Sequence, residues 1–158
     1  MQYNRPFFTT LLAVSMAFPI PTLGQDTDTR RLSLENYMDM ESVSNPQISP
    51  DGNQIIYARS WVDKLNDSRK SSLWIIDADG SRNRTLSEGS GARWSPDGTR
   101  IAYTTEGDPR GSQIFVRWMD AEGAKSQITR LDNGPSNLRW SPDGQWISFT
   151  SRVDDSAD

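Results

Sequence analysis

A short block recurs three times in this chain at a fixed interval. Gln47-Ile48-Ser49-Pro50-Asp51-Gly52 leads into Ile55-Ile56-Tyr57, Trp94-Ser95-Pro96-Asp97-Gly98 into Ile101-Ala102-Tyr103, and Trp140-Ser141-Pro142-Asp143-Gly144 into Ile147-Ser148-Phe149. Asp51, Asp97 and Asp143 stand 46 residues apart. A period of that size marks a repeat architecture, in which one supersecondary unit stacks on copies of itself because it cannot bury its apolar faces alone.

Each copy reads as a β-hairpin. Ser opens the turn, Pro pre-sets φ near −65° at the next position, Asp is tolerated at the third, and Gly is free to take φ > 0 at the fourth. Beyond the turn, Ile55 and Tyr57, Ile101 and Tyr103, and Ile147 and Phe149 recur at period two, the spacing of a strand and not of a helix. Ahead of it, Ile48, Trp94 and Trp140 hold one shared place. β-branched and aromatic residues on both sides of a Pro-Asp-Gly turn are a hairpin signature.

A second motif lies between the copies. Leu73-Trp74-Ile75-Ile76-Asp77-Ala78-Asp79-Gly80 is followed by Thr85-Leu86, and Ile114-Phe115-Val116-Arg117-Trp118-Met119-Asp120-Ala121-Glu122-Gly123 by Ile128-Thr129. Each reads as an apolar strand, an acidic-Gly turn and a short fourth strand. One period therefore holds four antiparallel strands, the blade of a β-propeller. The expected fold is all-β, with blade 1 at about 43–88, blade 2 at about 89–134 and the start of a third at about 135–158. That makes an incomplete propeller of about two and a half blades.

Residues 1–24 have the pattern of a secretory signal. Arg5 is the only charge, residues 7–23 are largely apolar, and Thr22-Leu23-Gly24 offers a cleavage site before Gln25. Thr9, Thr10, Ser15, Pro19 and Pro21 interrupt the apolar run and no second one follows, so no membrane span is expected in the mature chain. The expected location is the periplasm or the extracellular space. The absence of Cys excludes disulfides and a lipid attached at a signal-peptide cysteine. A formal net charge of −4 with no Lys/Arg cluster argues against nucleic acid or an anionic membrane as partner. Trp94 and Trp140 recur with the repeat, and Trp74 and Trp118 lie in matching strands, which assigns these four to blade packing rather than to a stacking platform.

Residues 25–42 form a leader: polar at first, then a short helix capped by Ser33 with Leu34, Tyr37 and Met38 on one face. Residues 43–48 run extended into the first hairpin, because the residue before Pro46 avoids the helical region. The next strand is expected to end near Ser60, leaving residues 61–71 as a polar loop, with Glu106-Gly107-Asp108-Pro109-Arg110-Gly111 as its counterpart one period later. Such loops are where a rigid scaffold carries its partner contacts. Four blades at this period would need about 184 residues, more than the chain holds. The chain therefore reads as truncated within a loop of its third blade.

The leader Leu34-Glu35-Asn36-Tyr37, the block from Val43 to Gly52, the strand from Leu73 to Gly80 and the block from Arg93 to Gly98 together resemble the start of exported bacterial peptidases of the prolyl oligopeptidase family, of the acylaminoacyl-peptidase and dipeptidyl-peptidase type. The resemblance covers residues 33–150. It implies an N-terminal propeller that screens the access of peptide substrates to a C-terminal α/β-hydrolase domain, absent from this chain, carrying a Ser-Asp-His triad. TolB-like periplasmic propellers share the repeat without any catalytic domain, which leaves a second reading open: a non-catalytic propeller that binds protein partners. The helical leader directly ahead of Val43 favours the peptidase, since a TolB-like protein would be expected to place a separate α/β domain there. A short chain that completes its ring by oligomerisation is a third reading, disfavoured by the unlike loops of the two blades.

The chain holds no His, so no Ser-His-Asp triad assembles within it. Gly89-Ser90-Gly91 lacks the spacing of a Gly-x-Ser-x-Gly elbow. No catalytic, cofactor or metal residue is expected here. Asp77, Asp79, Ser81 and Glu88 do occupy positions 1, 3, 5 and 12 of a calcium loop, but Arg82 stands where that loop needs Gly, and a hairpin turn at Asp79-Gly80 explains them better. Asn66-Asp67-Ser68 and Asn83-Arg84-Thr85 match a glycosylation acceptor pattern and are read as coincidence. In some dipeptidyl-type relatives, acidic propeller residues hold the substrate's amino terminus. Glu106 is the loop carboxylate that invites this comparison, and a solvated surface charge is its plainer reading.

Overall fold

The three Ser-Pro-Asp-Gly blocks close matching turns. In each, the Gly amide donates to the Ser carbonyl at 2.9 Å, in the pairs Gly52–Ser49, Gly98–Ser95 and Gly144–Ser141. The Ser Oγ donates to the Asp Oδ1 two residues on, at 2.6 Å for Ser49–Asp51 and 2.5 Å for Ser95–Asp97 and Ser141–Asp143. The same oxygen accepts the amides of Gln54, Arg100 and Trp146, each at 2.9 Å. Ser and Asp recur because their side chains satisfy the backbone of the turn, and Gly because φ there is +76°, +70° and +68°.

The computed structural model describes residues 32–120 and 122–153; the expected signal segment and residues 154–158 lie outside them. Helix α1 (Leu34–Met38) begins at Ser33, whose Oγ accepts the Asn36 amide at 3.1 Å. Leu34 and Tyr37 on this helix stay exposed. Strands β1 (Ser42–Ile48), β2 (Gln54–Asp63), β3 (Ser68–Asp77) and β4 (Arg84–Glu88) form one antiparallel sheet in chain order. Strands β5 (Ser90–Trp94), β6 (Arg100–Glu106), β7 (Ser112–Trp118) and β8 (Lys125–Gln127) form a second, and β9 (Ser136–Trp140) pairs with β10 (Ile147–Thr150) in a third. This is the expected all-β architecture of propeller blades, and the sheets do not close on themselves.

Blades stack face to face with their first strands β1, β5 and β9 side by side. Ile56, Ala58, Leu73 and Ile75 of the first sheet meet Ala92, Ile101 and Tyr103 of the second. On the other face of the second sheet, Ala102, Ile114 and Val116 meet Leu138, with Trp140 and Ile147 against them. The alternation of a strand sends Ile101 and Tyr103 one way and Ala102 the other, so the middle blade is buried on both faces. Each repeated Trp also reaches back one blade. Trp94 Nε1 donates to the Gln47 carbonyl at 3.3 Å and Trp140 Nε1 to the Arg93 carbonyl at 3.0 Å. Arg100 lies over the Trp140 ring at 5.1 Å and donates to the Gly144 carbonyl at 3.1 Å.

Two expectations need correction. Residues 61–71 are mostly strand: the β2–β3 ladder continues through Trp61↔Lys70 and Val62↔Arg69 to Asp63↔Ser68, and only residues 64–67 turn. Asp63 braces that turn by accepting the Leu65 amide at 3.2 Å, the Asn66 Nδ2 at 2.7 Å and Lys70 Nζ at 2.8 Å. The hairpin outruns its neighbours, since β1 stops pairing at Ser42↔Ser60 and β4 at Ser72↔Glu88; residues 61–63 stay half-buried while 64–67 at the turn are exposed. The fourth strand of the second blade is Lys125–Gln127, ahead of Ile128-Thr129. There the Thr129 hydroxyl, and not a backbone carbonyl, accepts the Ile114 amide at 2.9 Å.

Candidate functional site

Because the strands are antiparallel, the β2–β3 and β6–β7 hairpins and the β4–β5 and β8–β9 crossings share the end of the blades opposite the Ser-Pro-Asp-Gly turns. At this end the two blades differ. The β2–β3 hairpin projects three residue pairs past its neighbours as an arm, a height of roughly 10 Å. Leu65 at its tip is 96% exposed. The β6–β7 ladder ends at Glu106↔Ser112, and residues 107–111 fold back over the blade.

Two glutamines hold that loop down. Gln113 is fully buried; its Nε2 donates to the carbonyls of Leu131 at 2.7 Å and Pro109 at 3.3 Å, and its Oε1 accepts the Leu131 amide and the Thr129 hydroxyl, both at 3.0 Å. Every polar atom of this side chain is thus satisfied, as burial requires. Gln127 clasps Asp108 from the other side. Its Oε1 accepts the Asp108 amide at 3.1 Å, and its Nε2 donates to the carbonyls of Asp108 and Thr129.

Between arm and loop lies a groove of about 400 Å³, with Arg69 and Ser71 on one wall, Thr105, Glu106 and Ser112 on the other, and Gly89-Ser90 as its floor. Gly89 has φ of +126°, and a Cβ there would stand 2.4 Å from the Thr104 carbonyl oxygen. Only glycine lets the crossing run this close to β6.

Glu106 sits at this groove, but its Oε1 accepts the Gly111 amide at 3.1 Å and stands 3.7 Å from Arg110 Nε. Its carboxylate closes its own loop. Of the four residues with calcium-loop spacing, Asp77, Asp79 and Ser81 share the β3–β4 turn, where Ser81 Oγ donates to Asp77 at 3.4 Å and its amide to Asp79 at 2.8 Å, but Glu88 does not join them. Asp77 ends β3, where Arg82 Nε bonds it at 2.5 Å and holds its carboxyl below the ordinary range, while Glu88 lies opposite Ser72. Five steps along β3 separate those two places, about 17 Å. Asn66 is tied to Asp63, and Asn83 Oδ1 accepts the Tyr57 hydroxyl at 2.8 Å. The arm and both glutamines escaped the reading of the sequence. A Gln opening the apolar run Ile114-Phe115-Val116 was the available signal for one of them.

No protein-family model matches the chain. It is 28% identical over 145 residues to dipeptidyl-peptidase 5 of Porphyromonas endodontalis, covering 83% of this chain and 20% of that protein. It is 32% identical over 100 residues to the uncharacterized peptidase YuxL of Bacillus subtilis, covering 60% and 15%. Among solved structures it is similar to the acylaminoacyl peptidase of Pyrococcus horikoshii, with a TM-score of 0.63 at 18% identity over 76% of this chain and 19% of that one. The β-propeller domain of the trilobed protease of Pyrococcus furiosus gives a TM-score of 0.57 at 19% identity, covering 69% and 33%. The chain matches a propeller part of a prolyl oligopeptidase family peptidase. TolB of Acinetobacter baumannii has the same blades, with a TM-score of 0.53 at 18% identity, covering 70% of this chain and 27% of that one. This propeller part spans about a fifth of the length of the first of these relatives. Structural similarity at such low identity speaks to the fold, and the blade geometry above is its content.

Proposed function

We propose that this chain is the access-screening propeller portion of an exported serine peptidase. Residues 1–24 direct export, and an α/β-hydrolase domain encoded beyond residue 158 supplies the Ser-Asp-His triad. The observation that carries this reading is the match to dipeptidyl-peptidase 5 over 145 residues of a chain that has no His of its own. A blade packed on both faces, as the second one is, makes a stiff wall, so the role of the propeller is steric. Extended peptides pass its openings and folded proteins do not. Substrates are accordingly short peptides, and the chemistry belongs to the hydrolase domain.

Expression of the reading frame continued past codon 158 tests this. The product should appear in the periplasmic or secreted fraction, hydrolyse chromogenic dipeptidyl or acylaminoacyl substrates, and leave a folded protein substrate intact. A frame that carries further repeats but no Gly-x-Ser-x-Gly elbow and no hydrolysis would sink the peptidase reading in favour of a TolB-like binding propeller.

A further inference from the structure

A helix as short as α1 does not hold itself together in water, because nucleation costs more than a single turn of hydrogen bonds returns. Yet α1 buries none of its residues against the described chain. Leu32, Leu34, Tyr37 and Met40 of the leader are each more than half exposed, and so is Leu65 at the tip of the arm. Two ion pairs bring the leader and the arm to one end of the blades. Asp39 Oδ1 meets Lys64 Nζ of the arm at 2.5 Å, and Glu41 pairs with Arg59 of β2. The opposite end is unlike it. There the turns set out Asp51, Asp79, Asp97 and Asp143, all exposed, and a carboxylate gives up its water only for a partner. The large apolar residues near that end, Ile48, Trp118 and Trp146, stand on faces where blades stack. Apolar side chains gathered in the open at the arm end mark a surface made to be covered.

We propose that the arm end docks the α/β-hydrolase domain of the same protein, with the apolar residues of the leader as the contact. The proposal rests on the reading of the parent as a peptidase. Strand parity is its second support. β1 enters the first blade beside the arm, and four antiparallel strands return the chain to the end from which it started, as the β4–β5 and β8–β9 crossings show. Any whole number of such blades therefore delivers a domain that follows them to the arm end, next to the leader that precedes them. Leu34 and Tyr37, three residues apart, share one face of α1 and meet that domain together. The pairs Asp39–Lys64 and Glu41–Arg59 already hold the leader against the blade, so little order is left to lose on docking. Covering this face also supplies the tertiary packing that a helix of one turn needs.

The test uses the protein made from its whole reading frame. Leu34→Cys in the leader is compared with Ala78→Cys, an exposed position in the β3–β4 turn at the other end. Labelling of the native protein by a maleimide, with the wild type as blank, should be at least about tenfold slower at Leu34→Cys, since that thiol is reached only when the domains part. In denaturant the two variants should label alike. A second measurement names the occupant. With p-benzoylphenylalanine in place of Tyr37, irradiation should cross-link the leader, within one chain, to the domain that carries the Gly-x-Ser-x-Gly elbow. Equal labelling of the two native variants, a cross-link that joins two chains, a cross-link to a blade, or no cross-link overturns the proposal. Hydrolysis of chromogenic peptides by the same protein is scored separately. Active protein whose Leu34→Cys labels freely removes the docking alone, whereas a frame with neither elbow nor hydrolysis removes the peptidase reading and this occupant with it.

Discussion

Replacing Ser95 by Ala removes one oxygen and should cost more than its size suggests. Ser95 is fully buried; its Oγ donates to Asp97 at 2.5 Å and accepts the Arg100 amide at 2.9 Å. Alanine leaves that half-buried amide, at the start of β6, without its acceptor, and an orphan of this kind costs about 1–3 kcal/mol. The lost bond to Asp97 adds less than about 1 kcal/mol, because its side chain is 52% exposed and water replaces the serine. A total near 2–3 kcal/mol lowers Tm by about 4–12 °C in a domain of roughly 150–250 residues. Circular-dichroism melts of wild type and variant, in the protein made from its whole frame, read this directly. A second signature lies in the pH dependence. The Ser95 hydroxyl is the main cause that holds the Asp97 carboxyl down at about 2, from an ordinary 3.8. A carboxyl depressed in the folded state stabilises above its unfolded pKa and loses that contribution as pH falls through the folded value, here from about pH 4 to about 2. Without Ser95 the deficit should therefore be full at neutral pH and shrink across that window. A loss of Tm under about 1 °C, or a deficit that stays constant down to pH 2, would refute this account.

Trp140→Phe keeps a ring under Arg100 but removes the indole donor to the Arg93 carbonyl, and should cost about 1 kcal/mol in urea unfolding. Trp94→Phe, whose bond is longer at 3.3 Å, should cost less; the reverse order would count against the backward staple. Gly89→Ala forces a Cβ to 2.4 Å from the Thr104 carbonyl oxygen at a φ of +126°, and should destabilise by about 3 kcal/mol or more. A soluble variant that melts with the wild type would contradict it. Gln113→Leu orphans the Leu131 amide and removes the bond to the Pro109 carbonyl, so trypsin should cut faster at Arg110; an unchanged rate would mean that Gln127 on Asp108 suffices to hold the loop. Residues 25–158 expressed alone should aggregate or unfold without cooperativity, because the outer faces carrying Ile48 and Trp146 lack their neighbouring blades. A sharp monomeric melt would disprove that.

The turns and the blade strands were legible in the sequence because their causes are local. A Ser, Asp and Gly within four residues satisfy their own backbone, and a dyad of apolar residues follows at strand spacing. The arm was not legible. A hairpin end with no strand on either side needs no apolar face, so residues 61–71 carry no alternation to betray the ladder they form. The constant 46-residue period hid it as well. Leu73 lies 22 residues after Asp51 but Ile114 only 17 after Asp97, and the following intervals, 24 to Asp97 and 29 to Asp143, compensate. One blade spends its extra residues on an arm and the other on the crossing that Gln113 ties down.

The sequence by itself determined the repeat, its turns, the four-strand order of each blade and the lack of any triad within the chain, since all of these depend on residues near one another or on composition. Only the tertiary structure decided that Glu106 is committed to its own loop, that Asp77 and Glu88 lie at opposite ends of a blade, and that the apolar residues of α1 stay exposed beside the arm. A side chain's availability depends on the height and face of strands brought beside it from the next blade. No spacing along the chain records that.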